Sequence, residues 1–118
     1  MKKSSTTLMV FGVYLIGMGL GFLFTPNMVL GIFGIPATDE VWPYVVGVLA
    51  LVLASYYISA ARADLRTFAQ WTVPARIGVF VAFVGFVVAG LVGPIMIMLG
   101  SVDLFGALWT RWALKVEG

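Results

Sequence analysis

The residue of this chain most able to do chemistry is Asp103, an acid inside a long apolar segment. It lies nine residues after Pro94 and eight residues before Arg111. In a helix with the usual rise per residue, its carboxyl is roughly 12 to 14 Å from either end. An ionisable side chain at that depth in hydrocarbon is costly, so it marks a candidate functional site.

Two other polar residues are predicted to join Asp103. Thr110 follows it by seven residues on the same helix face, which also carries the small residues Gly100 and Gly106. Arg76 precedes a predicted helical hairpin and is level with Thr110, roughly 10 Å from Asp103 along the helix. The candidate polar site therefore consists of Asp103, Arg76 and Thr110.

The sequence leaves three roles open for this polar site. Asp103 and Arg76 can form a buried polar tie, because a buried charge pair specifies geometry better than it stabilises a fold. Asp103 can instead line a cavity that takes an ion, a proton or a polar head group. It can also contact a partner subunit. All three roles require the carboxyl to face away from the acyl chains.

The chain contains no Cys and no His. This composition excludes thiolate and imidazole metal sites, His-ligated haem, iron–sulfur clusters, disulfides, and Ser-His or Cys-His nucleophilic pairs. For acid–base chemistry only Asp103 with Tyr56 or Tyr57 remains. We therefore expect a protein that is not an enzyme and that uses no metal and no cofactor.

The elements that position these residues are predicted to lie in a membrane. Of the 118 residues, 62% are hydrophobic and only 10% are charged, whereas roughly a quarter are charged in soluble domains. A spanning helix needs about 20 apolar residues, so four spans use roughly 80 and leave only short loops. The basic residues lie beside apolar runs, where anionic head groups attract them. The predicted partner is the lipid bilayer and not nucleic acid.

Four apolar runs predict a single transmembrane domain over residues 1–118, with spans at about 8–24, 41–61, 74–92 and 94–114. We expect the first run to be a retained helix, because no small-residue cleavage site follows it. The third is expected to begin near Pro74, which suits a first helical turn. Residues 26–34 predict an interfacial turn or short helix, and residues 62–73 predict a surface connector.

The distribution of charge predicts the topology. Every basic residue falls on one side of a four-span arrangement, while Asp39 and Glu40 lie on the other. The positive-inside rule then places both termini in the cytoplasm. We predict an all-α, antiparallel four-helix bundle in the bacterial cytoplasmic (inner) membrane, crossing it several times. The basic residues are Lys2, Lys3, Arg62, Arg66, Arg76, Arg111 and Lys115.

Small residues recur at helical spacing along the predicted spans. Helices associate in lipid largely through such residues, because lipid tails provide no hydrophobic driving force between helices. They can pack the bundle or form an interface between subunits, and the sequence leaves both open. The candidate packing residues are Gly17, Gly21, Gly47, Gly78, Ala82, Gly85, Gly100 and Gly106.

Three segments carry a resemblance to a known family. Residues 102–110 (VDLFGALWT), 24–26 (FTP) and 42–47 (WPYVVG) resemble those of small bacterial four-span proteins of the broad DoxX-like type. The similarity in layout covers essentially the whole chain. It implies a compact four-helix bundle and, for some relatives, a role as a membrane subunit or partner of a larger oxidoreductase or assembly.

Three functional hypotheses follow. The leading one is a non-enzymatic membrane protein that acts through helix–helix contacts. It would do so as an accessory subunit of a larger membrane complex or as a homo-oligomer. The second is a small transporter or channel with Asp103 as its polar site. The third is a binder of a lipophilic molecule, a quinone or a lipid, whose polar head lies near Asp103 and Arg76.

Overall fold

The computed structural model describes residues 1–118 as five helices with no strand. They are α1 (Lys3–Phe24), α2 (Pro26–Ile32), α3 (Trp42–Arg62), α4 (Arg66–Val88) and α5 (Ile95–Glu117). The all-α prediction is confirmed. Three helices, α1, α3 and α4, are long and apolar enough to cross a membrane. α5 is as long as α4, but Asp103 and Arg111 lower its mean hydropathy.

α4 differs from its predicted form at its beginning. It starts at Arg66, so Pro74 lies inside the helix and the prediction that Pro74 occupies the first turn is wrong. Proline cannot donate to the carbonyl of Gln70, but a helix packed among neighbours tolerates one lost hydrogen bond. The predicted surface connector is also wrong, because only residues 63–65 separate α3 from α4. Arg76 is consequently mid-helix, about 15 Å along α4.

α2, α3 and α4 end with the same turn. A residue with left-handed backbone follows each helix, and the next N–H donates to the carbonyl five residues back, at 2.9 to 3.0 Å. This is the Schellman arrangement, which satisfies carbonyls that the helix end leaves free. The left-handed residues are Gly34 (φ 69°), Asp64 (φ 51°) and Gly90 (φ 77°). Asp64 adopts this conformation without the freedom of glycine, so its side chain needs a compensating contact.

The backbones of α1 and α3 approach each other closely at Gly19 and Gly47. A Cβ on Gly47 would lie 2.8 Å from the carbonyl oxygen of Gly19 and 3.0 Å from the backbone nitrogen of Leu23. A Cβ on Gly19 would lie 2.7 Å from Leu51. Because backbone atoms cannot move aside as a flexible side chain can, glycine is required at Gly47 for this contact.

The remaining predicted packing residues fall into two groups. Those that another helix contacts within this chain are Gly21, Gly100 and Gly106. A Cβ on Gly17, Gly78 or Gly85 would meet nothing within 4 Å, and Ala82 is exposed. The small-residue stripe of α4 therefore faces away from the other helices of this chain.

The buried core lies where α1 and α4 begin and where α3 and α5 end. We call this part of the molecule the polar half, because the polar contacts described below also lie there. Its apolar cluster consists of Leu8, Phe11, Tyr57, Ala60, Ala61, Ala69 and Leu114. A second, smaller cluster joins α1 to α2 and consists of Phe22, Val29 and Leu30. Both clusters use α1, which packs against every other helix.

The two terminal segments are joined by hydrogen bonds that we call the terminal clasp. The N–H and the hydroxyl of Ser4 donate to the two carboxyl oxygens of Glu117, at 2.9 and 2.8 Å. Arg66 completes the clasp, donating to Glu117 at 2.7 Å and to the carbonyl of Leu114 at 3.1 Å. Burial raises the pKa of Glu117, but the bonds from Ser4 and Arg66 outweigh it and hold that pKa below 4.5.

Asp64 holds the chain beside the clasp. Its carboxylate accepts the N–H of Lys2 at 3.0 Å, which compensates for its left-handed backbone. Hydrogen bonds from the Ser5 hydroxyl and the Lys2 N–H hold the pKa of Asp64 below its usual value. The turn between α3 and α4 is thereby tied to the first residues of the chain.

Candidate functional site

Arg76 is the most deeply buried charged residue, with 2% of its surface exposed. Its Nε donates to the carbonyl of Thr72 at 3.3 Å, and its Nη2 donates to the Thr72 hydroxyl at 3.1 Å. Nη2 also donates to the hydroxyl of Thr110 at 2.7 Å. The structure thus brings together two of the three residues predicted for the polar site.

A chain of hydroxyl groups leads from Arg76 toward the terminal clasp. Thr110 Oγ1 lies 2.7 Å from Thr7 Oγ1, and Thr7 donates its single hydroxyl hydrogen to the carbonyl of Ser4 at 2.6 Å. Thr110 must therefore donate to Thr7 while it accepts from Arg76. All bonds run in one direction and strengthen one another. The chain ends on a backbone carbonyl, which has no proton to pass on.

Aromatic rings cover the guanidinium of Arg76. Its Cζ lies 4.8 Å from the ring centre of Phe11 and 5.7 Å from that of Tyr57, within the range of cation–π attraction. Nη1, however, has no hydrogen-bond partner although it is buried. Two N–H donors of a charged group are therefore unsatisfied. We call Arg76, Thr72, Thr110 and Thr7 the arginine network.

Asp103, the third predicted residue, is not part of this network. No hydrogen bond or ion pair joins it to Arg76, and the one ion pair of the structure links Arg66 and Glu117 at 2.7 Å. Asp103 and Arg76 form no direct bond, and Nη2 of Arg76 donates to Thr110 instead. Asp103 is seven residues from Thr110, or about 10 Å along α5.

Asp103 instead lines a partly open cavity, to which all five helices and the segment that follows α2 contribute residues. The cavity has a volume of about 410 Å³. Of its 17 lining residues, 16 are hydrophobic and Asp103 is the exception. Aromatic rings form much of the wall, at Tyr14, Phe22, Phe33, Trp42 and Phe83. A single carboxyl thus faces an otherwise apolar space.

A second, smaller space lies between α1 and α5, and we call it the crevice. Its volume is about 150 Å³. Phe11 and Gly106 line it, and both also contact Arg76: a Cβ on Gly106 would lie 3.0 Å from Nη1 and 3.4 Å from the Phe11 ring. The other lining residues are Thr7, Val10, Tyr14, Val102 and Trp109. Tyr14 lines both the cavity and the crevice.

Sequence reasoning missed several residues of this site. Thr7 and Phe11 contact the site from α1, whose position relative to α5 is a tertiary property. Thr72 was placed in the predicted surface connector, although its hydroxyl contacts Arg76 one helical turn later. The available signal was the run of four hydroxyl residues at 4–7, directly before the first apolar run. Because α4 was predicted to begin near Pro74, Thr72 and Arg76 were not expected to lie one turn apart on the same helix.

No protein-family model, no curated protein and no solved structure matches this chain. The resemblance to DoxX-like proteins therefore stays a prediction. Function has to be inferred from the geometry of the cavity, the crevice and the arginine network.

Proposed function

We propose that this protein binds a lipophilic small molecule in the cavity and holds its polar head at Asp103. The observation that carries the proposal is an apolar space of about 410 Å³ in which one carboxyl is the only charged group. Ligand pockets commonly measure about 300 to 1,000 Å³ and combine apolar walls with a few polar groups. The cavity meets both criteria.

The chemistry of the walls selects the class of ligand. Aromatic and aliphatic side chains take a ring or an acyl chain, while a carboxylate accepts a hydrogen bond from a hydroxyl group. A quinol or a lipid with a hydroxyl head group fits this combination. An anionic head group does not, because no basic residue lines the cavity.

The proposal includes a specific arrangement in the membrane. Along α1 and α3, Gly12 faces Ile58 whereas Gly19 faces Leu51 and Gly47, which supports an antiparallel pair. The short connection at residues 89–94 and the terminal clasp support α5 as a fourth crossing, antiparallel to α4 and α1. An even number of crossings in a four-helix bundle, with the basic residues on one side, gives cytoplasmic termini in a bacterial inner membrane.

Trp42 offers a direct test because it lines the cavity. In a variant whose other three tryptophans are replaced by Phe, we expect decylubiquinol or a brominated diacylglycerol to quench Trp42 saturably. Ala50→Phe fills the cavity and should abolish this quenching. Val48→Phe is the matched control, since Val48 is exposed on the same helix.

Asp103→Asn tests the head-group contact. An amide accepts a weaker hydrogen bond than a carboxylate, so we expect the affinity for the quenching ligand to fall about tenfold, which corresponds to about 1.4 kcal/mol. The fold should be unchanged by circular dichroism. Quenching that is equal in Ala50→Phe and Val48→Phe would show that the ligand lies outside the cavity and would remove the proposal.

A second function, that of a subunit held by helix contacts, is favoured by one observation. The small residues Gly78, Ala82 and Gly85 of α4 face away from the chain, in a form suited to close approach by another helix. The DoxX-like resemblance, which implies a membrane subunit, agrees with it. Gly78→Ile should then dissociate an oligomer or complex in mild detergent, while Gly17→Ile should not. If the unsubstituted protein is already a monomer in mild detergent, the proposal of a subunit held by helix contacts is contradicted.

A transporter is less favoured. Thr7, Thr110 and Arg76 form the only polar row through the helices, and its hydroxyl chain ends on the Ser4 carbonyl, which cannot pass a proton onward.

A further inference from the structure

We propose that the cavity opens sideways into the bilayer between α3 and α4, and that it takes a two-chain lipid with a hydroxyl head group through this opening. One chain lies in the cavity, and the other stays outside among the membrane lipids. This inference rests on the proposed function and names the class of ligand for the same cavity. We call the gap between α3 and α4 the lateral opening.

The first argument is where the wall of the cavity is exposed. Five of the 17 lining residues have 36% to 57% of their surface exposed, and all five belong to α3 or α4. The lining residues of α1, α2 and α5 are buried or half-buried. The cavity therefore reaches the surface between α3 and α4. The exposed lining residues, which define the lateral opening, are Trp42, Val46, Leu49, Leu53 and Val79.

The second argument is how the helices pack around the cavity. α3 packs against α1 and α4 packs against α5, but α3 and α4 make almost no close approach to each other. They meet in the polar half, where the ring centres of Tyr57 and Phe68 are 5.3 Å apart. The packed pairs are close: a Cβ on Gly47 would lie 2.8 Å from the backbone of α1, and a Cβ on Gly100 would lie 3.2 Å from the Phe83 ring. A ligand therefore meets less obstruction between α3 and α4 than within either packed pair.

The third argument is the depth of the lateral opening. Leu49 lies 15 residues before Asp64, in the turn between the two helices, and Val79 lies 15 residues after it. In the proposed antiparallel pair the two residues are level, roughly 22 Å from the turn. The hydrocarbon core of a bilayer is about 30 Å thick, so both side chains lie among the acyl chains. The lateral opening therefore faces lipid and not water.

The fourth argument is the size of the cavity, which selects the ligand. Its volume of about 410 Å³ is near the lower end of the range for drug-sized ligands, about 300 to 1,000 Å³. Such a volume holds one acyl chain beside a head group but not both chains of a diacyl lipid. Because the lateral opening faces acyl chains, the second chain can stay in the bilayer while the hydroxyl group donates to Asp103.

Trp42 in the cavity wall, retained as the single tryptophan, reports binding there. We would reconstitute the protein in phosphatidylcholine vesicles and titrate brominated diacylglycerol and, separately, decylubiquinol, which has one short tail. We expect saturable quenching by both ligands. Leu49→Phe combined with Val79→Phe narrows the lateral opening. The half-saturating concentration should then rise at least about tenfold for the diacylglycerol and less than about twofold for decylubiquinol, which has no second chain to leave outside.

Three control variants make the test specific. Ala50→Phe fills the cavity and should weaken the binding of both ligands. Val48→Phe is exposed on α3 but does not line the cavity, and it should change neither. Val102→Phe narrows the crevice, which is a rival route because Tyr14 lines both spaces, and it should also change neither.

The outcomes separate this inference from the proposed function. Saturable quenching by decylubiquinol but not by the diacylglycerol would overturn the lateral opening and leave the proposed function standing. Equal changes for the two ligands in the Leu49→Phe and Val79→Phe double variant would also overturn it, as would weaker diacylglycerol binding in Val102→Phe. If neither ligand quenches Trp42 saturably, the proposed function is removed together with this inference.

Discussion

The polar half of the molecule is hydrogen-bonded between helices and leaves only the small crevice, whereas the opposite half, which we call the apolar half, surrounds the larger cavity. In the polar half, Leu8, Ala61, Ala69 and Thr110 are fully buried, and the terminal clasp closes the end. In the apolar half, Phe33, Trp42 and Met96 line the open cavity. Helices α1, α3, α4 and α5 thus pack closely at one end, and together with α2 they leave an open cavity at the other.

The difference shows how the two halves are stabilised. Burial from water provides little attraction between helices in lipid, so directional hydrogen bonds and close packing must fix their positions. The polar half contains nearly all such bonds between helices. The apolar half depends on the glycine contact between α1 and α3 and on the smaller apolar cluster that joins α1 to α2. The polar half therefore fixes the relative positions of the helices. In the apolar half, the contact between α1 and α3 forms a frame around the cavity.

The largest effect is expected from Thr110→Val. It removes one of the two acceptors of Arg76 Nη2 and the donor to Thr7, so one N–H of a buried guanidinium loses its partner while the other still donates to Thr72. We expect a loss of about 3 kcal/mol in unfolding free energy, measured by SDS titration and circular dichroism. Thr25→Val is the control, because the Thr25 hydroxyl is exposed and contacts only its own helix. Equal losses in the two variants would show that the arginine network does not contribute to the free energy of unfolding more than an exposed hydroxyl does.

A smaller loss is expected from Gly47→Ala, which tests whether the frame of the apolar half is rigid. The added methyl group would meet backbone atoms of Gly19 and Leu23, so α1 and α3 must move apart. We expect a loss of about 2 kcal/mol in the same titration. Gly17→Ala should be neutral or slightly stabilising, since it meets nothing and favours the helix. If Gly47→Ala is also neutral, α1 and α3 can move apart at little cost, and their contact does not hold the apolar half rigidly.

Filling the cavity should raise the free energy of unfolding, whereas the two preceding substitutions lower it. Ala50→Phe places a ring among apolar walls and adds packing contacts, so we expect a gain of about 1 kcal/mol in stability without ligand. The thermal midpoint in detergent measures it, with Val48→Phe again as the control. A loss of stability would mean that the cavity is too narrow for the ring, and the contrast between the halves would weaken.

The smallest effect is expected on the pH dependence of stability, and it arises at the terminal clasp and the neighbouring Asp64. The folded protein holds the pKa of Glu117 below 4.5, so its contribution is present above that pH and is lost as the pH falls through the lowered value. Asp64 contributes in the same direction. We expect the thermal midpoint to fall in acid, and to fall less in Glu117→Gln. An unchanged slope in this variant would exclude Glu117 as the source.

The sequence predicted the helical elements better than their contacts. Runs of apolar residues located α1, α3, α4 and α5, and the short segment at 26–34 proved helical, because hydropathy and length are local properties. The start of α4 was wrong since Pro74 was treated as a first-turn residue, although a helix surrounded by other helices tolerates it.

The candidate site was predicted only in part. Hairpin geometry placed Arg76 level with Thr110, and the two are hydrogen-bonded. The direction in which a long guanidinium points does not follow from spacing, so the expected contact with Asp103 is absent. A cavity at Asp103 was one of the roles that the sequence left open, but its size and aromatic walls could not be predicted, because it is a space left between all five helices.

Arg76 also has a consequence for the order in which the protein assembles. Its rings and part of its hydroxyl chain come from α1 and α3, which are synthesised before α4. A lone arginine at the centre of an inserting helix costs about 2.5 to 3.5 kcal/mol. Docking of α4 onto the α1–α3 pair relieves that cost by sheltering the guanidinium. The arginine that makes insertion of α4 harder thus favours its docking onto α1 and α3, and α5 completes the site afterwards by supplying Thr110.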